Sequence, residues 1–302
     1  MGQLSVDLLP VLLLALLGQV LRRFAGFGPE TSGTLLRLVL KVTLPALLLS
    51  TLPTLDLTPE LAMLPLLAAI NAGIAYLLGS RLLLPWLLHR GQAAPTAATA
   101  ALGVMIANTS FILPFLGAVH GAEGLTLGCI YDLGNAVIIY TVVYSFAVRR
   151  AKHPLGRRAI FFEVLTLPPL WGLFLGASLN VLALELPPPL YAVAHPLGAM
   201  TVPLLLLSLG LSIERLPRPE PALLAAIALR MGMGVLVGLF FAEVFALEGV
   251  ARSIILAGCA APIGFNTLVF ASAHELDADF AARLLSASLL LGMLSTPLLL
   301  HL

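Results

Sequence analysis

Two short polar clusters interrupt apolar stretches of the chain and could bind a small solute. The clusters and their prolines are Asn108, Thr109, Ser110 and Pro114 in the first half, and Pro262, Asn266 and Thr267 in the second. Amides and hydroxyls can coordinate a carboxylate, and a proline inside a helix removes a backbone hydrogen bond. In a membrane the freed backbone groups need a partner in the protein or in a water-filled cavity. A helix that restarts after such a break also presents N–H groups and a positive dipole end, which suits an anion.

Four more polar or charged side chains lie inside apolar stretches: Lys41, Asp132, Asn135 and Arg230. A charge at the centre of a bilayer costs from about 2.5 to more than 10 kcal/mol, so function is its default explanation. Asp132 and Asn135 lie one turn apart on one helix face, and Asp132 is a candidate for proton transfer or an ion pair. Lys41 and Arg230 could neutralise an anion, although long basic side chains also snorkel to the interface.

The composition excludes a water-soluble domain. The chain has 302 residues, of which 60% are hydrophobic and 10% charged, and its mean hydropathy is +1.04. Soluble domains carry about 25% charged residues. With a formal net charge of +1 and no basic stripe, the chain offers nothing to neutralise a nucleic acid backbone. We therefore expect a lipid bilayer, and no nucleic acid, around this protein.

Ten apolar segments are long enough to be transmembrane helices. A hydrocarbon core of about 30 Å needs about 20 residues per helix, and continuous apolar runs favour helices over barrel strands, which alternate. The segments cover residues 5–22, 36–54, 61–88, 97–119, 123–148, 161–182, 189–213, 222–247, 250–273 and 279–301. The sequence therefore predicts an all-α polytopic membrane protein with ten transmembrane helices.

The charged loops predict the orientation of the chain. Basic residues follow the first, third, fifth and seventh segments, and the largest group is Arg149, Arg150, Lys152, Arg157 and Arg158. Short basic loops stay in the cytoplasm. We therefore expect a multi-pass protein of the inner (plasma) membrane with both termini outside the cytoplasm.

The basic central loop divides the chain into two halves, residues 1–150 and 151–302, with five predicted helices each. An odd number of helices per half makes the second half insert in the opposite orientation, as in transporters built from inverted repeats. The stretch from Thr43 to Ser50 also resembles the stretch from Thr201 to Ser208. The two polar clusters lie in helices 4 and 9, and paired interruptions in corresponding helices indicate a transporter's binding site.

The residues around the first polar cluster resemble the auxin efflux carrier family. The resemblance is carried by Ala107-Asn108-Thr109-Ser110-Phe111 with Pro114, by Gly121-Ala122-Glu123-Gly124-Leu125 and by Tyr131-Asp132-Leu133-Gly134-Asn135. It extends over essentially the whole chain through Leu44-Pro45-Ala46, Pro203 to Gly210, Pro262 and Ser288 to Pro297.

This resemblance implies two inverted five-helix repeats in which the broken helices 4 and 9 cross at prolines. It implies that Asn108, Pro114 and Pro262 lie at the crossover, and that the substrate is an organic anion, from auxin to dicarboxylates. The chain departs from the family at Ile112 and Leu113, where members usually have a glycine shortly before the proline. The local bend and the room for substrate are therefore expected to differ.

We expect a secondary transporter that moves a small organic anion, auxin-like or a mono- or dicarboxylate, by alternating access, with a proton or sodium as possible coupling ion. The expected substrate-binding residues are Asn108, Thr109, Ser110, Asn266 and Thr267. One alternative is a sodium-coupled symporter of the bile acid type, although predicted helices 4 and 9 contain no Asp or Glu. Another is a channel or a membrane sensor that transports nothing.

The sequence gives no indication of an enzyme. It contains no HExxH zinc helix, no Cys/His cluster with metal-ligand spacing, no G-x-S-x-G turn and no phosphate-binding loop. We therefore expect no catalytic residues, no cofactor and no metal. The sequence does not decide the substrate, the direction of transport or the oligomeric state, for which a homodimer is one option.

Overall fold

The described residues of this computed structural model, 2–55, 59–149, 168–212 and 219–302, are almost entirely helical. They contain no strand, and an isolated antiparallel bridge joins Ala107 and Ile263. The prediction of an all-helical protein is therefore confirmed for this part of the chain.

The helices of the first half are α1 (Gly2–Phe24), α2 (Pro29–Leu38), α3 (Leu44–Thr51), α4 (Pro59–Leu77), α5 (Leu84–His89), α6 (Ala94–Met105), α7 (Thr109–Ile138) and α8 (Tyr144–Val148). Those of the second half are α9 (Pro168–Val181), α10 (Pro188–Ala199), α11 (Thr201–Ser212), α12 (Pro221–Ile227), α13 (Met233–Val244), α14 (Gly249–Cys259), α15 (Asn266–Ala273) and α16 (Ala278–Leu299). Turns of π-helix join consecutive helices at Val39–Thr43, Leu78–Leu83, Ile139–Val143 and Ala228–Gly232, and a 3₁₀ turn at Leu52–Thr54 follows α3.

Six helical stretches among the described residues are long and apolar enough to cross a membrane. They are Glu30–Thr54, Met63–His89, Thr109–Val148, Pro188–Ser212, Pro221–Val244 and Ala278–Leu299. Large apolar side chains such as Phe174, Phe240 and Leu294 are mostly exposed, as expected of a surface that faces lipid rather than water. The protein is therefore a multi-pass membrane protein, while the number of ten transmembrane helices stays a prediction.

The fourth predicted segment, residues 97–119, is interrupted, but not at the proline where the break was expected. Pro114 lies inside α7, and the helix break predicted there lies instead ahead of Thr109. The prediction that Pro114 breaks the chain is therefore wrong. As the sixth residue of α7, the proline removes one backbone hydrogen bond, but the helix continues through it. A kink at Gly121, whose φ of 61° favours glycine, falls between the fourth and fifth predicted segments, where a boundary was expected.

The chain folds into two compact units that each take segments from both halves. Unit 1 contains Met1–Ala62, Leu113–Ile130 and Leu165–Ile213, and unit 2 contains Met63–Ile112, Tyr131–Val164 and Glu214–Leu302. These units do not coincide with the predicted halves, 1–150 and 151–302. The inverted-repeat relationship between the halves stays a prediction.

Small residues allow helices of unit 1 to pack closely. A Cβ atom at Gly210 in α11 would lie 2.0 Å from the carbonyl oxygen of Ala15 in α1, and one at Gly176 in α9 would lie 2.8 Å from that of Leu48 in α3. Between membrane helices, where the hydrophobic effect gives little attraction, such close contact is a main source of stability.

Helix α6 lies at the centre of the core of unit 2. Every residue from Thr96 to Met105 is buried, and apolar side chains of α16, including Phe280 and Leu284, belong to the same core cluster as Leu102 and Met105. A short helix buried on all sides fixes the chain that leaves its C-terminal end, where the first polar cluster begins.

Candidate functional site

The two polar clusters lie at two helix interruptions within unit 2. One interruption separates α6 from α7, and the other separates α14 from α15. They are hydrogen-bonded to each other: the N–H of Asn108 donates to the carbonyl of Pro262 at 2.7 Å, and the N–H of Gly264 donates to that of Ile106 at 2.8 Å. Each interruption thus supplies partners for backbone groups that the other has freed, as hydrocarbon surroundings require.

Close packing and a serine support this pairing. A Cβ atom at Gly264 would lie 2.8 Å from Ile106 Cγ2 and 2.9 Å from the carbonyl oxygen of Ala107. The N–H of Ile263 donates to Ser288 Oγ in α16 at 3.2 Å. Glycine is therefore required for the close approach, and Ser288 satisfies one more free backbone group.

Asn108 and Thr267 each hold a buried polar atom that has no hydrogen-bond partner among the described residues. The Asn108 side chain caps α7, since its Oδ1 accepts the N–H of Phe111 at 3.2 Å, but its Nδ2 has no hydrogen-bond partner among the described residues. The Thr267 hydroxyl in the first turn of α15 also has none in that part of the chain. The two residues are 6% and 0% exposed. A buried polar atom without a partner costs about 1–3 kcal/mol, so both atoms are suited to a polar ligand.

Thr109, Asp132 and Asn135 form a connected polar cluster at the start of α7. The Thr109 hydroxyl donates a short hydrogen bond to Asp132 Oδ1. The Asn135 Nδ2 donates to Thr109 Oγ1 at 3.1 Å and to Asp132 Oδ1 at 3.4 Å. No ion pair of Asp132 occurs within the described residues. A carboxyl group held only by neutral donors is a better proton acceptor than one paired with a base.

Arg230 binds the C-terminal ends of both interrupted helices. It lies in the π-helical turn Ala228–Gly232, is 2% exposed, and donates to the carbonyl of Val104 at 3.4 Å and, in a shorter bond, to that of Cys259. Val104 is in the last turn of α6 and Cys259 is the last residue of α14. The guanidinium therefore satisfies carbonyls left free at the two breaks, and it lies at the negative ends of both helix dipoles.

The other predicted site residues have varied surroundings. Asn266 begins α15, and its Nδ2 donates to the Tyr140 hydroxyl at 3.3 Å. Ser110, in the first turn of α7, is partly exposed. Pro262 lies in the second interruption. Lys41 and Pro114 belong to unit 1, and the Lys41 side chain is exposed, which favours snorkelling for this residue.

Three residues that contribute to the paired interruptions were not predicted as site residues: Tyr140, Gly264 and Ser288. Ser288 begins the last stretch that carries the family resemblance, and Gly264 lies between Pro262 and Asn266, so both had a local signal. Tyr140 had none, because its role depends on a contact with Asn266 far along the chain.

The donors at the two interruptions are of the kinds that bind anions in proteins. The N-termini of α7 and α15 supply partial positive charge, and the buried amide and hydroxyl supply neutral donors. Within the described ranges, no group of three His, Cys, Asp or Glu side chains is placed to hold a metal ion.

Paired helix interruptions with buried polar atoms are typical of membrane transporters. The sequence matches the family described as "Membrane transport protein" over residues 3–158 and 158–300. The chain belongs to this family, and the resemblance to the auxin efflux carriers is thereby confirmed.

Two archaeal proteins are similar to the chain. An uncharacterized transporter of Methanothermobacter thermautotrophicus is 28% identical over 304 residues, which cover 96% of this chain and 95% of that protein. An uncharacterized transporter of Methanocaldococcus jannaschii is 26% identical over 200 residues, or 59% of each chain.

The contacts of Arg230 predict a large difference between two arginine variants of unit 2. Arg230→Ala leaves the carbonyls of Val104 and Cys259 without this donor, which costs about 1–3 kcal/mol for each buried group. Arg252→Ala removes an ion pair with Glu243 at 2.9 Å and a solvent-exposed hydrogen bond to the Leu302 carbonyl at 2.9 Å, which contribute about 0–1 kcal/mol each. Thermal unfolding in detergent should therefore show a clearly lower midpoint for Arg230→Ala and a smaller decrease for Arg252→Ala. Equal midpoints would contradict the capping role.

Proposed function

We propose that this protein is a secondary transporter that carries a small organic anion by alternating access, with the substrate bound at the paired interruptions of unit 2. The proposed contacts come from Asn108, Thr109, Ser110, Asn266 and Thr267. The proposal includes the plasma membrane as location, with both termini outside the cytoplasm.

The observation that carries this proposal is a pair of donors that have no partner among the described residues: Asn108 Nδ2 and the Thr267 hydroxyl, each within or beside the first turn of a helix. Both atoms can donate to a carboxylate oxygen. Neutral donors and helix dipoles bind an anion without a fixed ion pair, so the anion can also leave, as transport requires.

Arg230 supports an anion rather than a cation as the ligand. The C-terminal ends of α6 and α14 together carry about one negative charge, and the guanidinium offsets it at the carbonyls of Val104 and Cys259. The negative ends of α6 and α14 then no longer offset the partial positive charge at the N-terminal ends of α7 and α15. In this proposal Arg230 sets the potential of the site and does not contact the substrate.

The same contacts favour a proton over sodium as the coupling ion. Carbonyls at a helix break are the groups that would coordinate sodium, and two of them accept hydrogen bonds from Arg230 instead. Asp132 is a carboxylate bonded to Thr109, a proposed substrate contact. Two like charges about 6 Å apart repel by about 3 kcal/mol at an effective dielectric constant of 20. Protonation of Asp132 would therefore favour binding of the anion, so that proton binding and anion binding are coupled.

Uptake into proteoliposomes tests the carrier and its site together. We expect saturable uptake of at least one of labelled auxin, malonate, malate and a bile acid, and a loss of about tenfold or more in Asn108→Ala, because one charge-assisted hydrogen bond to the anion contributes about 1.5–3 kcal/mol. Arg252→Ala is the matched control and should transport normally. Non-saturable flux would indicate a channel, and no flux from folded protein would indicate a sensor.

Replacement of Asp132 tests the coupling ion. Wild-type uptake should increase when the outside is made acidic and should not change when choline replaces sodium. Asp132→Asn keeps the hydrogen bond to Thr109 but cannot titrate, so its uptake should be independent of the proton gradient. A pH dependence that survives in Asp132→Asn, or a requirement for sodium, would exclude proton coupling through this residue.

A further inference from the structure

Unit 2 contains a second polar site, separate from the helix interruptions. It is a cavity of about 460 Å³, and its polar lining consists of Tyr76, Ser80, Arg81, Thr141, Ser145 and Arg149. The remaining lining residues are apolar, and none of the described lining residues carries a carboxylate. The cavity is therefore positively charged.

Among the described residues, the two arginines of this cavity lack the side-chain partners that Arg230, Arg252 and Arg283 of unit 2 have. Within the described ranges, Arg81 and Arg149 have neither an ion pair nor a hydrogen bond through the side chain. By contrast, Arg252 pairs with Glu243 and Arg283 with Glu220, and Arg230 donates to backbone carbonyls. In a chain with only 10% charged residues, two unpaired guanidinium groups at one cavity indicate an anionic ligand.

Two turns of π-helix shape the cavity. Ser80 and Arg81 lie in Leu78–Leu83, and Thr141 lies in Ile139–Val143. A π-helical turn changes which side chains share a helix face, and such turns often occur at functional sites. Here, the two π-helical turns belong to different helical stretches, and each turn contributes one hydroxyl group to the cavity.

The hydroxyl groups of the cavity donate to backbone carbonyls but could instead donate to an anion. Ser80, Thr141 and Ser145 each donate to a carbonyl one turn earlier, at 2.7, 2.5 and 2.6 Å. A hydroxyl hydrogen rotates freely about its C–O bond, so it can donate to an oxyanion instead. The forked guanidinium groups and these hydroxyls match the several acceptor oxygens of a phosphate group.

The positions of Arg81 and Arg149 along their helices indicate how deep the cavity lies in the membrane. Arg149 directly follows the end of α8 at Val148, and Arg81 lies about two turns, or about 12 Å, before α5 ends at His89. An arginine side chain at that depth reaches towards the membrane surface. Because the ends of membrane-spanning helices lie near the membrane surface, we expect the two guanidinium groups at the level of the headgroup phosphates. Basic pockets between membrane helices bind such headgroups.

We propose that this cavity binds a phosphate-type oxyanion, supplied by the headgroup of an acidic phospholipid. The π-helical turn that provides Thr141 also provides Tyr140, which accepts a hydrogen bond from Asn266. A lipid bound here stabilises the turn that supports the start of α15. The site is independent of the transported anion.

Lipid binding to the purified full-length protein tests this proposal. Phosphatidylglycerol and phosphatidylcholine with the same acyl chains are added to delipidated protein, and bound lipid and the unfolding midpoint are measured by native mass spectrometry and thermal melting. Wild type should prefer phosphatidylglycerol. Arg81→Gln/Arg149→Gln should bind it about tenfold more weakly or worse, because charge-assisted hydrogen bonds are lost. Arg90→Gln removes a nearby arginine that does not line the cavity, and it should keep the preference.

Further variants separate the possible results. Arg81→Lys/Arg149→Lys keeps the charge and should bind phosphatidylglycerol with intermediate strength, which guards against loss of folding in the glutamine variant. Asn108→Ala should keep the full preference whether or not it transports, so failure of the proposed function leaves this test valid.

A higher unfolding midpoint of wild type with inorganic phosphate alone, lost in the glutamine variant, would identify a free phosphate as the source. Equal binding of the two lipids by wild type, or an undiminished preference in the glutamine variant, would overturn the proposal.

Discussion

Backbone polar groups inside a membrane need partners, and this requirement governs the arrangement of unit 2. Both α6 and α14 end within the core, and each break frees N–H and carbonyl groups that water does not reach. The two breaks satisfy each other through the pairs Asn108–Pro262 and Gly264–Ile106. Arg230 also donates hydrogen bonds to carbonyls at the C-terminal ends of both helices. An interruption that would be costly alone is stable because it is paired.

The groups that this pairing does not satisfy define the proposed site. Asn108 Nδ2 and the Thr267 hydroxyl are buried and have no partner among the described residues. They lie at helix N-termini, where partial positive charge favours an anion. Asp132 is bonded to Thr109 in the same region, and a carboxylate close to an anion site provides a means to couple its protonation to binding. Stability and proposed function thus depend on the same interrupted helices.

Local sequence patterns predicted the helical character, most helix boundaries and the two polar clusters, because hydropathy and helix-breaking residues act over short distances. They predicted the first break at Pro114, whereas the chain is helical there and breaks ahead of Thr109. A tertiary contact decides this position, since the partner backbone lies at Pro262 and Gly264. The capping role of Arg230 and the contact between Tyr140 and Asn266 also join residues distant in sequence, so no local pattern could show them. The association of Asp132 with Asn135 was predictable from helical spacing, but that with Thr109 was not.

A double-mutant cycle on anion binding tests most directly whether the two interruptions form one site. The dissociation constant of the transported anion would be measured for wild type, Asn108→Ala, Thr267→Val and the double variant. Residues that act on one ligand in a shared cavity are expected to show a coupling energy of about 0.5–3 kcal/mol. Weaker binding in both single variants together with a coupling in this range is the predicted result. Unchanged binding in either single variant, or strictly additive effects, would contradict a single site shared by the two interrupted helices.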